Sequence, residues 1–210
     1  MLSCFTCLYA KKLMGLILNY QDGQTPLDPD QIDGLKIKTI ATQKQLNEFE
    51  QANINEALLW IHSKRKITDV LTEDFMIQLH RRMFGIVWRW AGQFRKAQTN
   101  IGVDWVKIPM ELRGLIDDTT FWIKHETYPP EEITLRFKHR LVSIHCFPNG
   151  NGRHSRIMAD LMAAQVFGLE KFSWGHHALV ESSEQRKTYL KALKMADLGD
   201  YSPLMRFARS

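Results

Sequence analysis

Cysteine is scarce: three residues in 210, Cys4, Cys7 and Cys146, too few for a disulfide framework. A reducing cytoplasm fits that usage. Cys4-x-x-Cys7 has no second pair to complete a zinc site. Long apolar runs are missing as well. The apolar leader Met1 to Leu13 is too short to span a bilayer, and no basic start precedes its apolar part as a signal peptide requires. We therefore expect no membrane association, with residues 1–13 a spurious leader ahead of a true start at Met14. Repeats and low-complexity tracts are absent. The net charge of +5 is scattered and never gathered into a basic run, which argues against direct nucleic-acid binding. The histidines at 62, 80, 125, 139, 154, 176 and 177 lack metal-binding spacing such as His-Glu-x-x-His.

What remains is an ordinary globular composition, 44% hydrophobic and 24% charged, enough for one substantial core. Helical patterning covers Gln45 to Ser63, Thr72 to Trp88, Met110 to His125, Ile133 to His145, Arg153 to Phe167 and Ser182 to Met195. Pro129-Pro130 separates two of these, and Thr72 opens another ahead of Glu73 and Asp74. Between Gln93 and Pro109 the periodicity lapses. There Asn100-Ile-Gly-Val-Asp-Trp-Val reads as two short extended pieces around a turn. The fold class expected is mostly α, a helical bundle with one short β-hairpin flap, residues 14–210 forming a single domain with an N-terminal helical extension.

The run His145-Cys-Phe-Pro-Asn-Gly-Asn-Gly-Arg-His-Ser-Arg156 concentrates a titratable base, a glycine-rich turn and two arginines. Gly150 and Gly152 permit φ > 0 and leave room for backbone N–H groups to line an anion site. The helix that follows points its N-terminus at that turn, with unpaired N–H donors and about half a positive charge. Arg153 and Arg156, three apart, can clamp phosphate oxygens. His145 falls at or just past the end of the preceding helix, where the helix end raises an imidazole pKa and burial lowers it. The pattern is that of a phosphate-handling site.

This stretch resembles the signature of the Fic/Doc (Fido) family, His-x-Phe-x-Asp/Glu-Gly-Asn-Gly-Arg-x-x-Arg, and departs from it only at Asn149. Trp90-Ala-Gly-Gln-Phe-Arg95, Asn100-Ile-Gly and Ile108-Pro109 resemble the family's approach to its flap. Tyr189-Leu-Lys-Ala-Leu with Asp197-Leu-Gly-Asp200 resembles the close of the same fold, and Thr25-Pro-Leu-Asp-Pro-Asp30 resembles the leader of the subgroup called mobile mystery protein B. The resemblance implies a protein adenylyltransferase: His145 takes the proton of a Ser, Thr or Tyr hydroxyl on a target protein as that oxygen attacks the α-phosphate of ATP. It implies an anion hole from Gly150, Asn151 and Gly152, arginines 153 and 156 on the phosphate tail, and Phe147 anchoring the loop in the core. The flap, with Thr99, Asn100, Ile101, Gly102 and Val103, would align an extended target segment by strand pairing. A toxin role and a helix-turn-helix companion or antitoxin are implied through the subgroup.

Asn149 replaces the usual carboxylate with a neutral oxygen, so Mg²⁺ is expected to be held mainly by the phosphates of ATP. Transfer of UMP, phosphocholine or a phosphoryl group, or a non-catalytic nucleotide-binding role, are the alternatives. Many family members also carry an inhibitory glutamate, in Ser/Thr-x-x-x-Glu-Gly/Asn, that pairs with the second signature arginine, here Arg156. The nearest candidates are Glu50 and Glu48. Their flanks do not match: Leu46 and Lys44 stand four residues earlier, Gln51 and Phe49 follow.

Overall fold

The computed structural model describes residues 29–64, 66–175 and 183–210. The leader with Cys4 and Cys7, most of the stretch from Thr25, and His176-His177 lie outside them. Eight α-helices follow one another in these segments: α1 (Pro29–Asp33), α2 (Gln43–Ser63), α3 (Glu73–Phe84), α4 (Ile108–Lys124), α5 (Pro130–Ile144), α6 (Asn151–Leu161), α7 (Ser183–Asp197) and α8 (Ser202–Arg209).

Local chemistry sets the helix ends. Thr42 closes a capping box with Gln45, its hydroxyl accepting the Gln45 N–H at 3.2 Å while Gln45 reaches back to the Thr42 N–H. The Thr72 hydroxyl accepts from the Phe75 N–H and starts α3. The sequence pattern carries α3 on to Trp88, yet the helix stops at Phe84. Buried Asn53 of α2 intercepts it: its amide donates to the Arg82 carbonyl at 2.6 Å and its carbonyl accepts the Ile86 N–H at 2.9 Å. Helix α5 begins at Pro130 with Glu131 and Glu132 in its first turn. Helix α6 gives way after Leu161 to a wider π turn, Met162–Val166, which Gly168 ends at φ +65°.

Two buried clusters meet across α5. Phe137 and Leu141 belong to the larger one with Leu46, Leu79, Phe84, Leu112 and Met158, and Leu135 belongs to the other with Ala159, Tyr189, Leu204 and Phe207. The mostly helical expectation holds. The hairpin does not: no strand occurs among the described residues, and an isolated antiparallel bridge joins Leu35 to Trp88. Residues 96–104 form an irregular loop, and Trp105–Lys107 a 3₁₀ turn capped by the Asp104 carboxylate, which accepts the Val106 N–H at 3.2 Å. Side-chain anchors set this segment's path where strand pairing was expected. Buried Arg95 donates to the carbonyls of Ala97 and Val103 within the loop and to those of Ile144 and His145 at the end of α5.

Candidate active site

His145 caps α5 in the left-handed conformation, φ +58° and ψ +58°, with its N–H bonded to the Leu141 carbonyl. The surrounding structure imposes this backbone state, which is rare for a residue with a Cβ. The Arg95 guanidinium holds the His145 carbonyl at 2.7 Å. Gly102, at φ +106°, presses so close that a Cβ there would stand 2.7 Å from the His145 Cβ. The imidazole is 5% exposed. Burial, with the Arg95 charge in the same sense and a backbone hydrogen bond to the Val142 carbonyl opposing, takes its pKa down to about 4. The helix-end effect loses, and the imidazole is neutral at pH 7.

From His145 the chain crosses a loop locked from several sides. Phe147 is 1% exposed and stacks on His80 with ring centroids 3.7 Å apart, the core anchor expected of it. The Asn151 side chain accepts the Phe147 N–H at 3.0 Å and donates to the Phe147 carbonyl at 2.8 Å. Asn151 therefore closes the loop with its side chain. His80 holds the next corner. Its Nδ1 accepts the Gly92 N–H at 3.0 Å, so the ring proton sits on Nε2, which donates to the Asn149 carbonyl at 3.0 Å. Gly150 is the N-cap of α6 at φ +80°, and a Cβ there would meet the Phe84 ring at 2.5 Å. Gly152 corrects the sequence reading: it is an ordinary residue of α6 without a positive φ.

The two arginines rest on different rings. Arg153 lies over the Phe84 ring and donates to the Glu50 carboxylate at 2.7 Å. Arg156 lies over the Tyr189 ring of α7, 4.7 Å from its centroid. Glu50, 5% exposed, also accepts the Trp88 indole N–H at 2.6 Å. The expected glutamate contact is thus made, but by Glu50 to Arg153 and not to Arg156. Glu48 is 63% exposed in its side chain and approaches Lys44 at 4.0 Å. Two positions from Glu50, it faces another side of α2.

The Asn149 side-chain oxygen accepts the Gly150 N–H at 2.6 Å. No group of three His, Cys, Asp or Glu side chains that could hold a metal occurs among the described residues. Of the expected flap residues, Ile101 is 43% exposed and Trp105 and Val106 beyond it are exposed as well, while the Val103 N–H reaches the Ile144 carbonyl beside His145. A cavity of about 560 Å³ between α2, α3 and residues 85–93 is lined by Lys36, Arg81, Arg82, Arg89 and Trp88, and no residue of 145–156 reaches it.

The Fic/DOC family model matches residues 70–163, from α3 through α6. Residues 70–163 belong to the Fic/DOC family. Proteins named protein adenylyltransferase Fic from Drosophila melanogaster and Drosophila erecta are each 30% identical to it, over 66% and 82% of this chain. The chain spans only 27% and 34% of their lengths. Among solved structures, Fic-1 of C. elegans overlays with a TM-score of 0.60 at 22% identity, covering 78% of this chain and 48% of that one. The Bartonella tribocorum effector BepC, solved with AMPPNP bound, overlays with a TM-score of 0.65 at 16% identity, covering 90% of this chain and 93% of that one. The Fic fold thus extends past the matched signature into α7 and α8. Sequence reading found the signature but missed the roles of Arg95, His80 and Trp88, which brace the site from elsewhere in the chain. Only Arg95, in the Trp90-to-Arg95 resemblance, gave a signal.

Proposed function

We propose that this chain is a protein adenylyltransferase that moves AMP from ATP to a Ser, Thr or Tyr hydroxyl of a target protein. The observation that carries the reading is a buried, neutral His145 held at the end of α5, beside a glycine-capped helix start that carries Arg153 and Arg156. Neutral His145 accepts the hydroxyl proton as the oxygen forms its bond to the α-phosphorus, and the bond to pyrophosphate breaks. Backbone N–H groups at Gly150, Asn151 and Gly152 receive phosphate oxygens, and the arginines hold the tail. The names of the Drosophila relatives support the reaction class, and BepC with AMPPNP supports ATP as the substrate. Mg²⁺ arrives on the ATP phosphates in this reading.

In the same reading the loop at residues 99–103 docks the target, with exposed Ile101, Trp105 and Val106 as its apolar face. Glu50 restrains the enzyme by occupying Arg153. A helix-turn-helix companion or antitoxin, a toxin role and a cytoplasmic setting belong to the proposal.

The deciding experiment incubates the full chain and His145→Ala with α- or γ-labelled ATP, Mg²⁺ and host lysate. Label from the α-phosphate alone, lost in His145→Ala, establishes AMP transfer. Label from the γ position establishes phosphoryl transfer instead. No His145-dependent label overturns both and directs the search to UMP or phosphocholine donors and to a binding role. Glu50→Gly is expected to raise self-labelling, and an unchanged rate removes the restraint.

A further inference from the structure

Lys138 is 0% exposed in the middle of α5, an unusual place for an amine. Its Nζ donates to the Tyr189 hydroxyl and lies 4.4 Å from the centroid of the same ring. No carboxylate lies within ion-pair distance of it among the described residues. Tyr189 is itself nearly buried, packed against Phe207 of α8 with ring centroids 5.3 Å apart, and it receives the Arg156 guanidinium 4.7 Å from its centroid. Asp160, one turn beyond Arg156, accepts from the Phe172 N–H and the Trp174 indole.

We propose that Lys138 and Tyr189 form a seat that positions Arg156 for the phosphate tail of the nucleotide. The Tyr189 ring face draws the guanidinium by its quadrupole. Phe207 fixes the ring from one side and the Lys138 amine fixes its hydroxyl, so the tilt of the ring, and with it the direction of Arg156, is set from inside the core. Burial and the neighbouring Arg156 charge hold the Lys138 pKa well below its ordinary value, which suits an amine that serves as a hydrogen-bonding strut. Both are positioning residues and do not themselves touch substrate. The inference rests on the proposed role of Arg156.

The test measures binding of AMPPNP and of AMP to the full chain by calorimetry. Arg156→Ala and Tyr189→Leu are each expected to weaken AMPPNP about three- to thirtyfold while leaving AMP within about twofold, the range of one cation–π contact. Lys138→Met and Tyr189→Phe are each expected to weaken AMPPNP about threefold, and the double variant no more than either alone, because both remove the same strut. A purely structural role would lower the melting temperature without changing the ratio of AMPPNP to AMP affinity. If Arg156→Ala shifts that ratio and Tyr189→Leu does not, or if the Lys138 and Tyr189 effects simply add, the seat is overturned while the role of Arg156 stands. If Arg156→Ala leaves the ratio unchanged, the phosphate-tail reading falls and takes the seat with it.

Discussion

At the scale of single residues, His145 is the group whose environment departs most from what the sequence suggests. Its place at a helix end would raise the pKa and burial would lower it; burial wins and, with the Arg95 charge, brings it to about 4. A base of that kind is already deprotonated throughout the neutral range. Transfer is therefore expected to stay flat from pH 8 down to about 5, measured as kcat/KM for ATP in buffers of constant ionic strength. An acid limb centred near 6.5 would mean that the imidazole titrates as an ordinary surface histidine. Gly102 offers a second test, since a Cβ there collides with the Cβ of His145 and the position already needs φ +106°. Gly102→Ala is expected to lower kcat about tenfold or more through misplacement of the base, with AMPPNP affinity little changed. An equal loss of AMPPNP affinity would place the damage in the loop as a whole. The signature was legible because its spacing is fixed over a short run. Arg95 was not legible as a partner, because nothing local marks an arginine that gathers distant carbonyls, and Glu50 was expected on Arg156 where it finds Arg153, across 103 positions.

Among the elements, α2 carries the most consequence for the site. Two of its residues turn polar groups toward the rest of the fold: Glu50 toward Arg153 and Trp88, and Asn53 toward the end of α3. Removing one partner from such a buried set leaves the others unsatisfied, at about 1–3 kcal/mol each. Trp88→Phe removes the indole donor that holds Glu50 and leaves an aromatic in the core. Self-labelling is expected to rise, by less than in Glu50→Gly, with stability lowered by about 1–3 kcal/mol in urea unfolding. If labelling falls or stays level while Glu50→Gly raises it, Trp88 is a core residue and not part of the restraint. The helix patterns located α2 to α7 because their apolar spacing is long and regular. They ran past the end of α3 because the stop is made by Asn53 of another helix, and their lapse at Asn100 to Val106 read as a hairpin where a tertiary anchor decides the path. Short α1 and α8 offered too few turns to register.

Over the whole molecule, buried neutral histidines tie the fold to pH. His80, His139, His145 and His154 come from α3, α5, the signature loop and α6, and burial lowers the pKa of each, to about 4 for His145 and His154. In the unfolded chain the same groups titrate near 6.5. Between those limits the unfolded state binds more protons than the folded one, so stability rises with pH through the window and is lost as pH falls from about 6.5 toward 4. Asp160 works in the opposite sense, since burial raises its pKa to about 6 and its protonation in the fold offsets part of the loss. Each uncompensated histidine contributes a slope of about 1.4 kcal/mol per pH unit. The melting temperature is expected to be level between pH 7 and 8 and to fall steeply below 6.5. His154→Gln, which keeps an amide donor for the Met76 carbonyl that the ring now reaches at 3.0 Å, is expected to lower the melting temperature at pH 7.5 but to flatten the slope between pH 6 and 5. A slope as steep as that of the unaltered protein would remove His154 from the set. A melting temperature that rises on acidification would reverse the sign of the linkage and overturn the neutral-histidine account, including the neutral base at its centre.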